Sequence, residues 1–386
     1  RKRITDVLVF YFMLAMIMLL SIYLWYRLAH LAPKGLLRKL TKIAGVFFTL
    51  AWPFTIVSTR FFPNVIPNPV EAILSEWGAG WIIMMVYVLL LTICWDLFRI
   101  CNHFTGWIHP RTLKSWIGKE GNLGVFILVA GCMIGLTLYG NHQYHQKKRV
   151  EYSVITEKDL TETYTIVALS DLHLGHLVKT DELAEWVDLI NQENPDFVLL
   201  LGDIIDHSLH SIDFNAIKAE FDRIESRFGV YGVLGNHEYI ESRTANIAFL
   251  QALGIQLLID EGTIINDELY LIGRDDRTHY ERHRLEELLP DHIDKPIIVM
   301  DHQPFGVEEV AKHPITLQLS GHTHRGQIWP YSWLTEKIYH LTHGMETINN
   351  STFIVSSGIG IWGAKIRIGT ESEYLVIRLK SDKPPI

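Results

Sequence analysis

Thr165-Ile166-Val167-Ala168-Leu169-Ser170-Asp171-Leu172-His173 decides how this chain is read. Thr165–Leu169 is a short apolar run stopped by polar residues, the signature of a buried β-strand. It ends on an aspartate and a histidine. The same arrangement recurs four times. Phe197–Leu201 leads to Gly202-Asp203, and Val230–Leu234 to Gly235-Asn236-His237-Glu238. Pro296–Met300 leads to Asp301-His302, and Thr316–Leu319 to Ser320-Gly321-His322-Thr323-His324. Helical patterns lie between the runs. In Asp181–Asn194, Leu183, Trp186, Val187 and Ile190 recur at helical spacing, and Pro195 stops the pattern. Further helices are predicted over Ile212–Arg227, Arg243–Leu253 and Phe305–Lys312. Short strands are predicted at Gln256–Leu258, Thr263–Ile265, Leu269–Ile272, Phe353–Val355 and Tyr374–Leu379. Alternating strands and helices imply an α/β domain with largely parallel pairing and a site beyond the carboxyl ends of the strands.

The five blocks occupy those ends, and their residue types point to metal chemistry. Asp171 and His173 are one residue apart, so in an extended segment their side chains share a face and can grip one cation. Asp203 has two oxygens that can bridge two cations. Asn236 offers a neutral oxygen, and His302, His322 and His324 offer imidazole nitrogens. Oxygen and nitrogen ligands without sulfur suit Mn, Fe, Zn, Co or Ni better than Ca, and such a set fits a two-metal hydrolytic site. Other residues stay open at this point. Glu238, Asp275 and Asp276 read either as supports for neighbours or as solvated turn residues. Arg325 and Gln327 follow the last histidine and read as facing substrate, with a structural ion pair the alternative for Arg325. The Gly-rich loop Ser357–Gly363 carries Trp362, with Arg367 beyond it, and reads as a substrate mouth or as a tight turn. His207, His210, His279, His283, His292, His313 and His343 read as ordinary surface or packing residues.

The first part of the chain differs in kind. Residues 1–150 hold 16 Lys+Arg against 5 Asp+Glu, whereas residues 151–386 hold 19 against 38. The basic residues flank apolar runs predicted to span a membrane, at about 7–26, 43–59, 78–100 and 123–140. The second run contains Pro53. Gly131 and Gly135, four apart, predict close helix packing. Trp25, Trp52, Trp77, Trp81, Trp95, Trp107 and Trp116 read as interfacial anchors near span ends. Asp96 reads as interfacial or as a polar contact within the bundle. Residues 1–140 are therefore expected to form an all-α membrane domain of four retained helices, 141–163 a linker with a leading strand, and 164–386 the α/β domain. Loop charges do not decide which side of the membrane carries that domain. Its acidic balance argues against a nucleic-acid backbone as partner. Cys94, Cys101 and Cys132 all lie in the first part without zinc-like spacing.

The five blocks, D-x-H, G-D, G-N-H-E, a later His and G-H-x-H, resemble the calcineurin-like metallophosphoesterase superfamily over about residues 164–380. Ser170–Gly175 and Ser320–Gln327 resemble its bacterial, multi-pass, membrane-associated branch. The resemblance implies a four-layer αββα sandwich of two mixed sheets between helices. It implies one divalent metal held by Asp171, His173, Asp203 and His324, and a second held by Asp203, Asn236, His302 and His322. His237 matches the family histidine that contacts phosphate and protonates the leaving group. The implied activity is hydrolysis of a phosphate ester or pyrophosphate by metal-activated water, with a lipid-linked substrate favoured by the membrane part. The alternative is a non-catalytic membrane scaffold or sensor that retains the fold. Substrate contacts are expected at Arg325, Trp362 and Arg367, and the location is expected to be the bacterial cell membrane.

Overall fold

A computed structural model describes residues 2–61, 66–109, 111–113 and 121–383. Trp116, an expected anchor, lies outside them. The chain divides into two compact units, Arg1–Gly140 with Gly363–Ile366, and Asn141–Trp362 with Arg367–Ile386.

The first unit is built from α1 (Lys2–Leu31), α2 (Leu36–Phe61), α3 (Asn68–Thr105) and α4, which starts at Leu123 and runs to His145. Each contains a stretch long and apolar enough to cross a membrane by length and composition. The helices exceed the apolar runs at one or both ends, because a helix continues through interfacial residues once its backbone bonds are formed. Polar contacts fix the bundle. The Ser21 and Thr49 hydroxyls lie 2.6 Å apart, and Trp81 Nε1 donates to Ser21 Oγ at 2.7 Å. Arg27 grips Asp96 with two bonds of 2.9 Å, so this carboxylate ties α3 to α1. Trp81 is buried against Trp25 and does not serve as an interfacial anchor. Among the described residues nothing lies within 4 Å of a Cβ placed on Gly131 or Gly135, so the close packing their spacing allows is not made there. The close-packed glycines are Gly45, whose absent Cβ would fall 2.7 Å from the Trp25 ring, and Gly78, 2.6 Å from the Trp52 nitrogen.

In the second unit the region expected as a linker holds the end of α4 and, one residue later, the ten-residue strand β1 (Lys147–Thr156). Then follow β2 (Tyr164–Leu169), α5 (Thr180–Gln192), β3 (Phe197–Leu200), α6 (Phe214–Phe221), β4 (Val230–Gly232), α7 (Arg243–Ala252) and β5 (Gln256–Leu257). The chain continues through β6 (Glu261–Ile265), β7 (Leu269–Gly273), α8 (Leu285–Leu288), β8 (Ile297–Met300), α9 (Val307–Val310), β9 (Leu317–Ser320), α10 (Tyr331–Ile338), β10 (Gly344–Ile348), β11 (Ser351–Val355) and β12 (Ser372–Ser381). Two six-stranded sheets result, ordered β1-β12-β2-β3-β4-β5 and β10-β11-β9-β8-β7-β6. Both are mixed: β2, β3, β4 and β5 pair in parallel, while β12 runs antiparallel to β2.

Strand alternation generates the layers. Ile166, Ala168, Phe197 and Leu199 meet Ile298, Met300, Leu317 and Leu319 between the sheets. Their neighbours Val167, Leu169, Val198 and Leu200 face the other way, onto Leu183, Trp186, Val187 and Ile190 of α5. On the outer face of the second sheet, Ile297 and Val299 pack against Leu285, Leu288, Val307 and Val310. The domain is thus a four-layer αββα sandwich. Continuous apolar strands are what burial on both faces demands.

Candidate metal centre

The loops after β2, β3, β4, β8 and β9 converge. His302 shows how the backbone prepares the site. Its Nδ1 donates to the Leu201 carbonyl at 2.7 Å, which aims Nε2 at Asp203 Oδ2, 3.2 Å away. Burial opposes charging this ring, but Asp203 prevails and holds it well above the usual histidine range. His173 Nε2 and His324 Nε2 stand 3.2 Å apart, and His324 Nε2 is 3.4 Å from Asp171 Oδ1. Asp203 Oδ2 also lies 3.9 Å from His173 Nε2. Four groups of potential donors form among the described residues: Asp171–His173–His324, Asp203–His302–His322, His173–Asp203–His237 and Asp206–His207–His237.

The donors fit divalent cations. Asn236 Oδ1 and His302 Nε2 are buried polar atoms with no hydrogen-bond partner among the described residues. Buried polar atoms are rarely left so without a missing ligand. Burial pushes His324 down to about 3, and burial with the nearby His302 pushes His322 down to about 4, so both rings are neutral and free to ligate. Burial works against ionising Asp203, yet His302 and His237 hold its carboxyl well below the usual range.

The backbone is strained where the donors sit. Asp171 (φ 58°), His173 (49°), Asp203 (49°), His322 (69°) and His324 (46°) all adopt left-handed conformations. Asp171 and His173 therefore do not lie in an extended segment, as their spacing suggested; they meet through two left-handed turns. The glycines before the donors admit close approach. A Cβ on Gly321 would sit 1.6 Å from Ser170 Oγ, and one on Gly235 would sit 2.2 Å from Asp203 Oδ1.

Three residues gain roles that sequence reasoning left open or passed over. Glu238 is fully buried and is no solvated turn residue. Its carboxylate accepts from the backbone nitrogens of Asp203 (3.1 Å), Ile205 (2.9 Å) and Gly235 (2.7 Å), clamping two donor loops. Burial, with repulsion from Asp203, raises it to about 7. Asp206 follows Asp203 by three residues, and that spacing was its only signal. Its Oδ1 lies 3.4 Å from His173 Nδ1 and 3.3 Å from His237 Nδ1, and its carbonyl accepts from His237 Nδ1 at 2.6 Å. His207 is exposed, as a surface residue should be, but its Nδ1 pairs with Asp206 Oδ2 at 2.8 Å and its ring lies 5.2 Å from that of His237. The His237 ring is edge-on to His173 with centroids 4.5 Å apart. Burial opposes its charging, but Asp203 and Asp206 prevail and raise it to about 9.

Other expected site residues are placed differently. Arg367 is buried and does not face a substrate. Its guanidinium donates to the carbonyls of Ser357 (2.7 Å), Gly358 (3.1 Å), Gly360 (3.0 Å) and His324 (3.3 Å), bracing the Gly-rich loop against the last donor loop. Trp362 stands exposed on that loop. Arg325 is half-buried, and its side chain makes no ion pair among the described residues. Asp301 turns away from the donors to Arg274 (2.9 Å) and Arg282 (3.1 Å). Asp275 and Asp276 are buried, held by Arg243 and His279 and by Gln303 respectively.

Residues 164–326 match the model of the calcineurin-like phosphoesterase family. An uncharacterized metallophosphoesterase of Helicobacter pylori is 27% identical over 89% of this chain and 91% of that protein. One from Aquifex aeolicus is 30% identical over 60% of this chain and 92% of that protein. A bovine transmembrane protein with a metallophosphoesterase domain is 34% identical over 56% of this chain and 53% of that protein. With strand-end donors, a two-sheet sandwich and relatives of this kind, the chain belongs to the calcineurin-like phosphoesterase family.

Proposed function

We propose that the protein is a multi-pass membrane phosphoesterase of bacterial type that hydrolyses a phosphate ester or pyrophosphate, on a lipid-linked substrate, with two divalent cations such as Mn, Fe or Zn. The observation that carries this reading is the pair of donor groups Asp171–His173–His324 and Asp203–His302–His322, with Asp203 also grouped with His173. Asp171, His173, Asp203 and His324 would hold one cation; Asp203, Asn236, His302 and His322 would hold the other. When bound, such a pair lowers the pKa of water and balances charge on phosphate oxygens.

The chain's own residues do the rest. His237 Nδ1 is committed to the Asp206 carbonyl, so Nε2 is the atom that holds and releases a proton. With its pKa raised to about 9, the ring is protonated at neutral pH and suited to protonating a leaving oxygen as the P–O bond breaks. Asp206 fixes the ring's tautomer and orientation. Arg325, half-buried beside His324 and without a carboxylate partner, suits a phosphate oxygen. Trp362 is the remaining candidate contact, on the loop that Arg367 braces.

The reading is tested by hydrolysis of p-nitrophenyl phosphate and its bis-ester by the full chain in detergent with Mn²⁺. Turnover is expected, with loss on chelation and recovery on readdition of metal. Measured metal binding without turnover of any phosphate ester would favour the scaffold instead. Replacing His237 with Ala is expected to keep both metals and slow turnover by about 10²–10⁴-fold, the range of a lost general acid. Wild-type rates in that variant would remove His237 from the reaction.

A further inference from the structure

Helix α10 leaves the donor loops with an unusual surface. It begins seven residues after His324, and among its side chains only Thr335 is buried. Tyr331 (52% exposed), Leu334 (49%) and Ile338 (50%) form one row along the helix, and Trp333 (58%) flanks it. Trp329 stands edge-on to Trp333, with centroids 5.4 Å apart. Large side chains so grouped and left half in water mark an interaction surface. The residue after the helix, Tyr339, packs against Phe305 with tilted rings 4.5 Å apart and lies 6.0 Å from the ring of His322. The patch therefore borders the donor site directly. The segment after the Trp362 loop is tied to it as well, because Trp329 N donates to Ile368 O at 2.7 Å.

We propose that this face of α10 seats in the interfacial layer of the bilayer and holds the donor site at the level of lipid head groups. The inference rests on the membrane-phosphoesterase reading above and deepens it by assigning the surface that meets the lipid. The occupant follows from the chain itself. Four helices are long and apolar enough to cross a membrane, and only Gln146 separates the end of the fourth from the first strand of the catalytic domain. A bilayer is thus the surface next to which this domain is tethered. Tryptophan and tyrosine rings beside leucine and isoleucine suit that layer, since their apolar bodies enter the acyl boundary while their polar edges stay hydrated. Lys337 lies between Trp333 and Leu334 around the helix and can reach outward to phosphate groups.

The test uses the full chain in lipid nanodiscs, with Cys94, Cys101 and Cys132 replaced by Ser and an environment-sensitive fluorophore on Leu334→Cys. The label is expected to shift to shorter wavelength, to be quenched by spin-labelled lipid and to be shielded from aqueous iodide. A label on Asp222→Cys, at the exposed end of α6, is expected to show the opposite pattern. Adding Trp333→Ser is expected to reduce lipid quenching. A Leu334→Cys label as open to iodide as the α6 control would overturn the proposal. So would a label shielded from iodide but untouched by lipid quenching, which would place protein on the patch. Turnover of a soluble ester in the same discs is a separate readout, so failure of the docking and failure of the phosphoesterase reading are distinct results.

Discussion

Asp203→Asn is expected to abolish hydrolysis and to reduce bound metal from two equivalents to one or fewer, while the fold persists. Asp203 lies 3.2 Å from His302 and 3.9 Å from His173, so its charge reaches a histidine of each proposed metal site. It also accepts the His237 backbone N–H through Oδ1 at 2.8 Å. An amide is nearly isosteric, so packing is retained, but it is neutral and a poor bridging ligand. The loss should exceed the roughly 10–100-fold that follows removal of a residue lying behind the ligands. Metal analysis and initial rates on the same preparation check this. Near wild-type rate and metal content would remove Asp203 from its central position.

Glu238→Ala is expected to give the largest loss of stability among single changes near the site. Three backbone N–H groups would lose their acceptor in a fully buried setting. Each such orphan costs about 1–3 kcal/mol, and neighbouring losses add incompletely, so about 3 kcal/mol is a reasonable total. For a domain of this size that corresponds to a fall in melting temperature of roughly 6–12 °C. Activity should fall too, because the same carboxylate holds the Asp203 and Gly235 loops in register. Glu238→Gln retains one acceptor oxygen and should lie between the two. Thermal unfolding of the three proteins in detergent decides the matter. Equal melting temperatures would show that the clamp does not carry stability.

The site was legible in the sequence wherever ligand type and strand-end position sufficed. Asp171, His173, Asp203, Asn236, His302, His322 and His324 were all singled out from short blocks after apolar runs. The structure groups Asp171 with His173 and His324, and Asp203 with His302 and His322, and buries Asn236 Oδ1 without a hydrogen-bond partner among the described residues. The geometry by which they meet was not legible. A spacing of one residue predicts a shared face only in extended backbone, and Asp171, His173, His322 and His324 are left-handed. Glu238 and Arg367 illustrate a second limit. A charged residue in a loop reads as solvated or as facing substrate. Burial depends on which distant segments fold over it, here the β3 and β4 loops for Glu238 and the Gly-rich loop for Arg367. Asp206 and His207 belong to the same class, since their contact with His237 spans thirty residues of chain. In the membrane part, apolar length announced the helices. The residues that lock them, Arg27 with Asp96 and Ser21 with Thr49 and Trp81, are pairs that no local pattern reveals. Gly131 and Gly135 had the right spacing for close packing, but that spacing does not say which helix face has a neighbour.

The central claim is that two cations on a shared aspartate make this family member an enzyme. Stepwise addition of Mn²⁺ to the metal-depleted full chain, with bound metal and p-nitrophenyl phosphate turnover followed together, tests it most directly. The account predicts that turnover rises with occupancy and reaches its plateau at two equivalents per chain. Two equivalents bound without turnover of any phosphate ester, or full turnover in metal-depleted protein, would contradict it.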